Sequence, residues 1–271
     1  MRIKIEMISE KPAFIPLNYQ YRLHSAIYAL IAKSSETYAR FLHDIGFQSA
    51  LNTLKTLKLF TFSRLFLYPY HFRKDGFYDV RRLELIISTA VGKSYEHLIY
   101  GIFAERELRL GTGRLETRFQ ISRVESLAEP EFRETMKFIC LSPITVSTVR
   151  EREDRESPEP HFLEYLKPEE KKPFIRNLQK NLIRKFETVY SRAYIDEHPF
   201  EFAFDADYLL RRQGRISKLI RFKNGIVIKA FEAPFEITAD PELIKIGYQC
   251  GFGEKNSAGF GCVEIADAEG R

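Results

Sequence analysis

The order of periodic segments is the same in both halves of the chain, and it constrains the fold more than any other feature. Apolar and charged residues alternate from Met1 to Met7, which predicts a strand with one buried face. Apolar residues at positions 23, 26, 27, 30 and 31 follow helical spacing. The rest of this half predicts a short helix with apolar positions 38, 41, 42 and 45, strands at 58–66 and 77–89, a helix at 93–106 and a strand at 114–124.

The same series begins again after Pro130. It predicts a strand at 137–149, a helix at 169–190, strands at 200–210 and 216–237, a helix at 242–249 and a strand at 259–265. Asn224 and Gly225 tolerate positive φ and are expected to fold the long strand segment into a hairpin. Each half therefore has the order β-α-β-β-α-β, which predicts an α+β fold of tandem ferredoxin-like domains with antiparallel, RRM-like sheets. We place the two domains at 1–127 and 128–271.

The composition excludes several classes of protein. The chain has 271 residues, of which 44% are hydrophobic, so it can form real cores and is not of a disordered type. No apolar run reaches the roughly 18 residues of a membrane span, and the N-terminus lacks the pattern of a signal peptide. Cys140, Cys250 and Cys262 do not have the spacing of a zinc knuckle. We expect a cytoplasmic protein without membrane contact, bound metal or other cofactor.

Positive charge is concentrated in one segment. The net charge of +5 is only a weak indication of a polyanionic partner. From Arg211 to Lys229, however, there are seven Lys or Arg residues and no acid. This pattern predicts a basic hairpin that contacts phosphates, and the alternative is a solvated hairpin without a role. The residues predicted to contact RNA here are Arg215, Lys218, Arg221 and Lys223.

The strongest local signal is a glycine-rich segment, GFGEKNSAGFG at 251–261, between a predicted helix and the last strand. Glycine lets the backbone approach a phosphate closely and turn successive N–H groups toward one anion. Lys255 adds charge, while Asn256 and Ser257 add hydrogen-bond donors. The segment has neither a Walker ending nor a preceding strand of the Rossmann type. We predict RNA contacts at its other key positions, Gly251, Gly253, Gly259 and Gly261, with a simple turn as the alternative.

The glycine-rich segment, placed before a final strand in a tandem ferredoxin-like chain, resembles the CRISPR repeat-processing endoribonucleases of the RAMP superfamily. The segments LNYQYRLHSAIYALI, FLHDIG, KLFTFSRLF and LSPITV resemble other parts of that family, so the resemblance spans nearly the whole chain. It implies cleavage of the repeat RNA within a precursor transcript, leaving a 5′ tag on each guide RNA. The implied partner is CRISPR repeat RNA, and subunits of an effector complex and a second copy of the chain are further candidate partners.

The resemblance also implies a Tyr-His-Lys triad, which falls on Tyr28, His43 and Lys58. Cleavage without metal uses the ribose 2′-hydroxyl and leaves a 2′,3′-cyclic phosphate and a 5′-hydroxyl end. His43 lies off its helix's apolar stripe, and histidine exchanges protons near neutral pH. Tyr28 lies beside the apolar stripe of its helix. Because a phenol is a weak base, orienting the 2′-hydroxyl is an alternative role to deprotonating it. Lys58 opens a predicted strand and offers charge to the phosphate, with Lys55 as its alternative and His24 as the alternative histidine.

Three other functions compete with this interpretation. A non-cutting RAMP subunit that only holds guide RNA would share the folds and the glycine-rich segment. A general single-stranded RNA binder should carry an RNA-recognition signature on a central strand, which this chain lacks. A metabolic enzyme of this fold would need a cofactor motif. Asp205 and Asp207 are predicted on one strand face, where a solvated face is favoured over a metal site because no third ligand is apparent.

Overall fold

Two antiparallel sheets, one in each half of the chain, carry the fold. The structure is a computed structural model that describes residues 1–49, 52–111, 116–150, 159–195, 198–222 and 225–266. In each half the apolar face of the sheet meets two helices in one hydrophobic core. Within these described ranges, no helix combines the length and the apolar character needed to cross a membrane.

The first sheet is built around a long strand. In chain order the elements of this half are β1 (Arg2–Pro16), α1 (Gln20–Ser34), α2 (Glu36–Arg40), a π-helix (Phe41–Ile45), β2 (Phe47–Ser49), β3 (Asn52–Leu57), β4 (Phe60–Phe62), β5 (Phe66–Tyr68), β6 (His71–Arg73), β7 (Gly76–Thr89), α3 (Gly92–Glu105), β8 (Glu107–Leu110) and β9 (Thr117–Ser126). The strand order is β4-β7-β1-β9-β8, and β5 and β6 also pair with β7. Gly101 lets α3 approach α1, since a Cβ there would lie 1.8 Å from the carbonyl oxygen of Leu30.

The second half repeats this arrangement with additions. Its elements are β10 (Thr135–Cys140), β11 (Ser147–Arg150), β12 (Glu159–Phe162), α4 (Pro168–Tyr190), β13 (Glu201–Phe204), α5 (Ala206–Arg211), β14 (Ser217–Arg221), β15 (Val227–Phe231), β16 (Phe235–Thr238), α6 (Pro241–Cys250), a 3₁₀ turn (Asn256–Ala258) and β17 (Val263–Ile265). The sheet order is β13-β16-β10-β17, whereas β11 with β12 and β14 with β15 form separate two-stranded sheets.

Both main sheets follow the ferredoxin-like order. When only the four strands of each β-α-β-β-α-β unit are counted, the second strand lies beside the third, the third beside the first, and the first beside the fourth. The predicted α+β class with tandem ferredoxin-like units is therefore confirmed. The buried residues of the two cores lie between positions 3 and 119 and between positions 136 and 263. The domain limits at 1–127 and 128–271 stay a prediction.

One predicted strand is wrong in its second half. The strand predicted at 200–210 ends at Phe204, and α5 follows it. The carboxylate of Asp205 accepts a hydrogen bond from the backbone N–H of Tyr208 at 2.6 Å, which starts the helix. Asp205 and Asp207 therefore do not share a strand face. Among the described residues, no group of three metal-ligating side chains is found around them or elsewhere.

Other predicted strands also have different limits because tertiary contacts interrupt them, and the one predicted at 259–265 begins only at Val263. The strand predicted at 137–149 ends at Cys140, because the next backbone bonds go to the residue that follows the glycine-rich segment. The Leu141 N–H donates to the Cys262 carbonyl at 2.8 Å. The strand predicted at 58–66 is reduced to β4, so Lys58 precedes a strand rather than opening it. The segment 216–237 contains three strands, β14, β15 and β16. Asn224 of its predicted hairpin turn lies outside the described residues.

The glycine-rich segment lies where the two halves meet. The hydroxyl of Thr61 on β4 donates to the Phe260 carbonyl at 2.9 Å. Ile86, Leu141 and Cys262 form a small apolar cluster across the same boundary. This contact places the segment from the second half directly against α1 and β4 of the first half.

Candidate active site and RNA interface

One face of α1 carries two aromatic side chains toward the glycine-rich segment. His24 and Tyr28 are one helical turn apart, and their ring centroids are 4.7 Å apart. His24 Nδ1 lies 2.6 Å from the carbonyl oxygen of Ser257. A carbonyl only accepts, so Nδ1 carries the proton, and in the neutral ring the lone pair is on Nε2. The histidine that was only the alternative at the sequence level is therefore part of this site.

Tyr28 is more buried than its position beside the apolar stripe indicated. Its side chain is 9% exposed and belongs to the core of the first half. Burial raises the pKa of the Tyr28 hydroxyl well above its usual range, and a hydrogen bond with the Ser257 side chain opposes this only in part. Tyr28 therefore stays a neutral hydroxyl at physiological pH, which favours orienting a ribose over deprotonating it.

His43 lies on the π-helix that follows α2. π-helical turns are rare in proteins, and those that do occur often lie at functional sites. The side chain is 61% exposed, and its Nδ1 lies 2.7 Å from the carboxylate of Asp44. Because a carboxylate accepts, Nδ1 carries the proton and the neutral ring again presents Nε2 as the base. The His43 ring centroid is 5.4 Å from that of Tyr28 and 6.3 Å from that of His24.

Lys58 reaches the same place from the turn between β3 and β4. Its amine donates to the backbone carbonyl of His43 at 2.7 Å. Burial lowers the pKa of Lys58, and the carboxylate of Asp44 opposes the effect. Gly46, at φ 75°, allows the end of the π-helix to lie close to Leu57, since a Cβ there would lie 2.8 Å from the Leu57 carbonyl oxygen. The structure thus brings Tyr28, His43 and Lys58 together, although the side chain of the alternative Lys55 lies outside the described residues.

Several backbone N–H groups of the glycine-rich segment are bonded to carbonyls of the protein itself. The N–H groups of Phe252, Glu254 and Gly261 donate to the carbonyls of Gly261, Thr145 and Pro143, each at 2.8 Å. Its glycines permit close packing: a Cβ at Gly261 would lie 1.9 Å from the Phe252 carbonyl oxygen. Corresponding approaches are 2.4 Å from the Asn256 amide at Gly251, 2.4 Å from the Thr145 carbonyl at Gly253 and 2.6 Å from the Phe62 ring at Gly259.

The three polar residues at positions 255–257 of the segment have different surroundings. Asn256 is buried, and its amide donates to the Phe260 carbonyl at 3.0 Å, so it fixes the shape of the turn. Ser257 faces α1 through its contacts with His24 and Tyr28. Lys255 is exposed, with its amine 5.8 Å from the centre of the Phe162 ring. The phosphate-contacting role of the segment therefore stays a prediction that depends more on its side chains than on a backbone cradle.

The basic hairpin and the glycine-rich segment pack together. Ile220, Ile228 and Ala230 of β14 and β15 form one apolar cluster with Phe260, and Phe222 packs against it. The Phe222 ring also contacts His24, with centroids 5.9 Å apart. Of the predicted contacts, Arg215, Lys218 and Arg221 are exposed, and Lys223 lies outside the described residues. The two segments predicted separately thus form one surface beside the histidines.

Sequence reasoning missed Lys185 on α4. This side chain is 2% exposed, and its amine donates to the carbonyls of Gly251 at 2.5 Å and Gly253 at 2.8 Å. Burial lowers the pKa of Lys185 to about 7. One signal was available: Lys185 follows Leu178 and Leu182 at helical spacing, so a charged residue occupies the apolar stripe.

Comparison with known proteins gives concordant matches over both halves. The model "CRISPR-associated protein Cas6, N-terminal" matches residues 14–125, and "CRISPR associated protein Cas6, C-terminal" matches residues 127–265. CRISPR-associated endoribonuclease Cas6 1 of Methanocaldococcus jannaschii is 33% identical, over 97% of this chain and 92% of the relative. CRISPR-associated endoribonuclease Cas6 of Pyrococcus furiosus is 32% identical, over 98% of this chain and 90% of the relative. A solved structure described as "CRISPR associated protein Cas6" superposes with a TM-score of 0.76 at 31% identity, over 98% of this chain and 99% of that one.

Proposed function

The chain belongs to the Cas6 family of CRISPR-associated endoribonucleases, and we propose that it cuts RNA with the ribose 2′-hydroxyl as nucleophile and without a metal ion. It is an endoribonuclease that cleaves CRISPR repeats in the precursor transcript, as the resemblance of its sequence implied. The convergence of His43, His24, Tyr28 and Lys58 on the Ser257 side of the glycine-rich segment carries the proposed mechanism.

Two histidines exchange the protons in this proposal. His43 Nε2 takes the proton of the 2′-hydroxyl, because the Asp44 carboxylate orients the ring and stabilises the cation that forms. The 2′-oxygen attacks the adjacent phosphorus, and the bond from phosphorus to the 5′-oxygen breaks. His24, in its protonated form, gives its Nε2 proton to the departing 5′-oxygen, while its Nδ1–H stays on the Ser257 carbonyl. The products are a 2′,3′-cyclic phosphate and a 5′-hydroxyl end.

Tyr28 and Lys58 assist without exchanging protons. The neutral Tyr28 hydroxyl, held in place by burial and by Ser257, orients the ribose. The Lys58 amine is fixed by the His43 carbonyl and supplies positive charge to the phosphorane. Such charge stabilisation contributes as much as proton transfer in many enzymes.

The surface formed by the basic hairpin and the glycine-rich segment holds the RNA in this proposal. Arg215, Lys218 and Arg221 are exposed on the hairpin, whose Phe222 contacts His24, so the phosphates they bind lie close to the cut. The proposed partner is CRISPR repeat RNA, and a cytoplasmic location follows from this substrate. Effector-complex subunits and a second copy of the chain remain proposed partners.

The mechanism is tested by repeat RNA incubated with the protein in excess EDTA. Cleavage should continue, and the 5′ product should end in a cyclic phosphate that mass spectrometry identifies. The control is the same RNA with 2′-deoxyribose at the nucleotide 5′ of the cut, which should bind and stay intact. Cleavage of the deoxy substrate would disprove attack by the 2′-hydroxyl, and loss of cleavage in EDTA that Mg²⁺ restores would disprove the metal-free mechanism.

A further inference from the structure

A cleft opens beside Lys58, on the side of the glycine-rich segment that faces α4. Its walls come from both halves of the chain, from the turn before β4 and from α4 with the glycine-rich segment. Besides Thr56 and Glu254, the polar side chains that line it are Lys58, Asn181, Lys185, Lys255, Asn256 and Ser257. Three of these six carry amines, and Glu254 is the acidic residue on the wall.

Lys185 at the base of this cleft is a buried cation without a paired carboxylate. Its amine bonds two backbone carbonyls, those of Gly251 and Gly253. No described carboxylate lies within salt-bridge distance of it, and Glu254 acts on it only at longer range. A charge held out of water without a counter-ion is costly, so this arrangement favours an anion that enters the cleft.

Asn181 supplies a second observation that points to a ligand. It lies one helical turn before Lys185 on α4 and is 5% exposed. Its side-chain oxygen has no hydrogen-bond partner among the residues that the structure describes. Buried acceptors are almost always satisfied, so a donor from a bound molecule fits this position. A nucleotide offers both groups, a phosphate for the amines and a hydroxyl or base N–H for the acceptor.

We propose that this cleft is a phosphate-binding subsite for the nucleotide next to the cleaved bond, and that the charged amine of Lys185 pairs with this phosphate when RNA binds. The inference rests on the proposed function, since the subsite adjoins Lys58 of the same site. A phosphate close to the amine favours its charged form, so RNA binding takes up a proton at pH values where the free amine has lost it.

The sign of the pH dependence follows from the free and bound states. With a pKa of about 7, the free Lys185 amine is charged below pH 7 and neutral above it. In the complex the phosphate keeps it charged, so affinity falls as pH rises above 7. Other titratable groups near the amine are Cys250, whose burial raises its pKa to about 11, Glu254, and the amines of Lys58 and Lys255. A neutral amine still donates two N–H groups to the two carbonyls, so a purely structural role would not change with pH.

The test measures the dissociation constant of the full-length protein for repeat RNA that carries 2′-deoxyribose at the cut nucleotide. Titrations run from pH 6.5 to pH 8.5 at fixed ionic strength, with wild type, Lys185→Met, Lys185→Arg and Lys180→Met. Lys180 is exposed on the same helix and serves as the matched control. Wild type and Lys180→Met should lose about 15-fold in affinity between pH 7 and pH 8.5, as expected for one linked proton on a free amine with a pKa of about 7. Lys185→Met should bind more weakly at pH 6.5 and lose less than about twofold over the same range.

Lys185→Arg separates charge from titration, because arginine stays charged and should bind tightly with little pH dependence. An equal pH slope in wild type and Lys185→Met would overturn the proposal. Should the Lys185 variants fail to fold, as judged by circular dichroism, His24→Ala decides, because it lacks the histidine that is protonated in the proposed mechanism. Calorimetry at pH 7.5 in two buffers of different ionisation enthalpy should show proton uptake on RNA binding, and zero uptake overturns the subsite. Failure of wild type to bind any repeat RNA would instead disprove the proposed function and the subsite together, whereas cleavage of unmodified RNA without proton uptake disproves the subsite alone.

Discussion

Replacing His43 by alanine should remove proton transfer while leaving the protein folded. The side chain is 61% exposed, so its truncation opens no cavity. Its hydrogen bond with Asp44 is on the surface, where even a charged pair contributes only about 0–1 kcal/mol. Lys58 keeps its anchor, because its amine bonds the backbone carbonyl of His43 and not the ring. We therefore expect a change in unfolding free energy within about 0.5 kcal/mol.

The cleavage rate should respond very differently. Loss of one general acid or base lowers the rate by about 10²–10⁴, which raises the barrier by about 2.7–5.4 kcal/mol. RNA affinity should change little, because most binding comes from contacts to phosphate. The assay is single-turnover cleavage of labelled repeat RNA at saturating protein. His71→Ala is the matched control, since His71 Nδ1 bonds Asp79 at 3.0 Å in a similarly exposed pair outside the site.

A modified substrate assigns the two histidines to their roles. Sulfur in place of the bridging 5′-oxygen leaves without a proton, so this RNA needs the base but not the acid. The rate of His24→Ala should recover to within about tenfold of wild type on this substrate, whereas His43→Ala should stay slow. Recovery of His43→Ala instead would exchange the two roles. Wild-type rates for both alanine variants on unmodified RNA would refute proton transfer by either histidine.

Three further predictions concern the rest of the site. Tyr28→Phe removes a mostly buried hydroxyl that bonds Ser257, which should cost about 1 kcal/mol of stability; it should also lower the cleavage rate by about tenfold or more, as measured by urea unfolding and single-turnover kinetics. Gly261→Ala places a Cβ 1.9 Å from the Phe252 carbonyl oxygen and should destabilise the protein by more than about 2 kcal/mol. Gly225→Ala has a similar positive φ without a described neighbour within 4 Å, so it should cost only about 1 kcal/mol, and equal losses would contradict the packing argument. Replacing the three exposed basic residues of the hairpin by alanine should reduce the slope of log affinity against log salt by about two, and an unchanged slope would show that the hairpin is only solvated; the residues are Arg215, Lys218 and Arg221.

The spacing of apolar residues predicted helices and strands best where the apolar positions are also the buried ones. The alternation matches the structure from Ile3 to Met7, whereas Met1 is exposed and Arg2 is buried. The stripe of α1 also matches the structure. The prediction failed at Asp205, because alternation continues there while the side chain caps a helix. It also failed beyond Cys140, where the backbone N–H groups bond the Cys262 carbonyl instead of continuing the strand pairing. Both failures arise from hydrogen bonds that the periodicity of apolar residues does not report.

The candidate site could be predicted only in part. The helical spacing of His24 and Tyr28 places them on one face, and the exposure of His43 follows from its position off the stripe. That Lys58 meets the His43 carbonyl depends on the turn between β3 and β4. The involvement of Lys185 depends on α4 packing beneath the glycine-rich segment.

The sequence by itself determined the β-α-β-β-α-β order of the main elements, the ferredoxin-like class of both units and the residue types available for chemistry, because periodicity and turn residues act over a few positions. Only the tertiary structure decided which of these residues meet. Ser257 contacts a histidine 233 positions earlier in the chain, and Lys185 holds carbonyls 66 and 68 positions later. The first of these contacts joins the two halves at their shared boundary, and the second joins α4 to the glycine-rich segment within the second half. The geometry of both depends on how distant elements pack rather than on the local sequence.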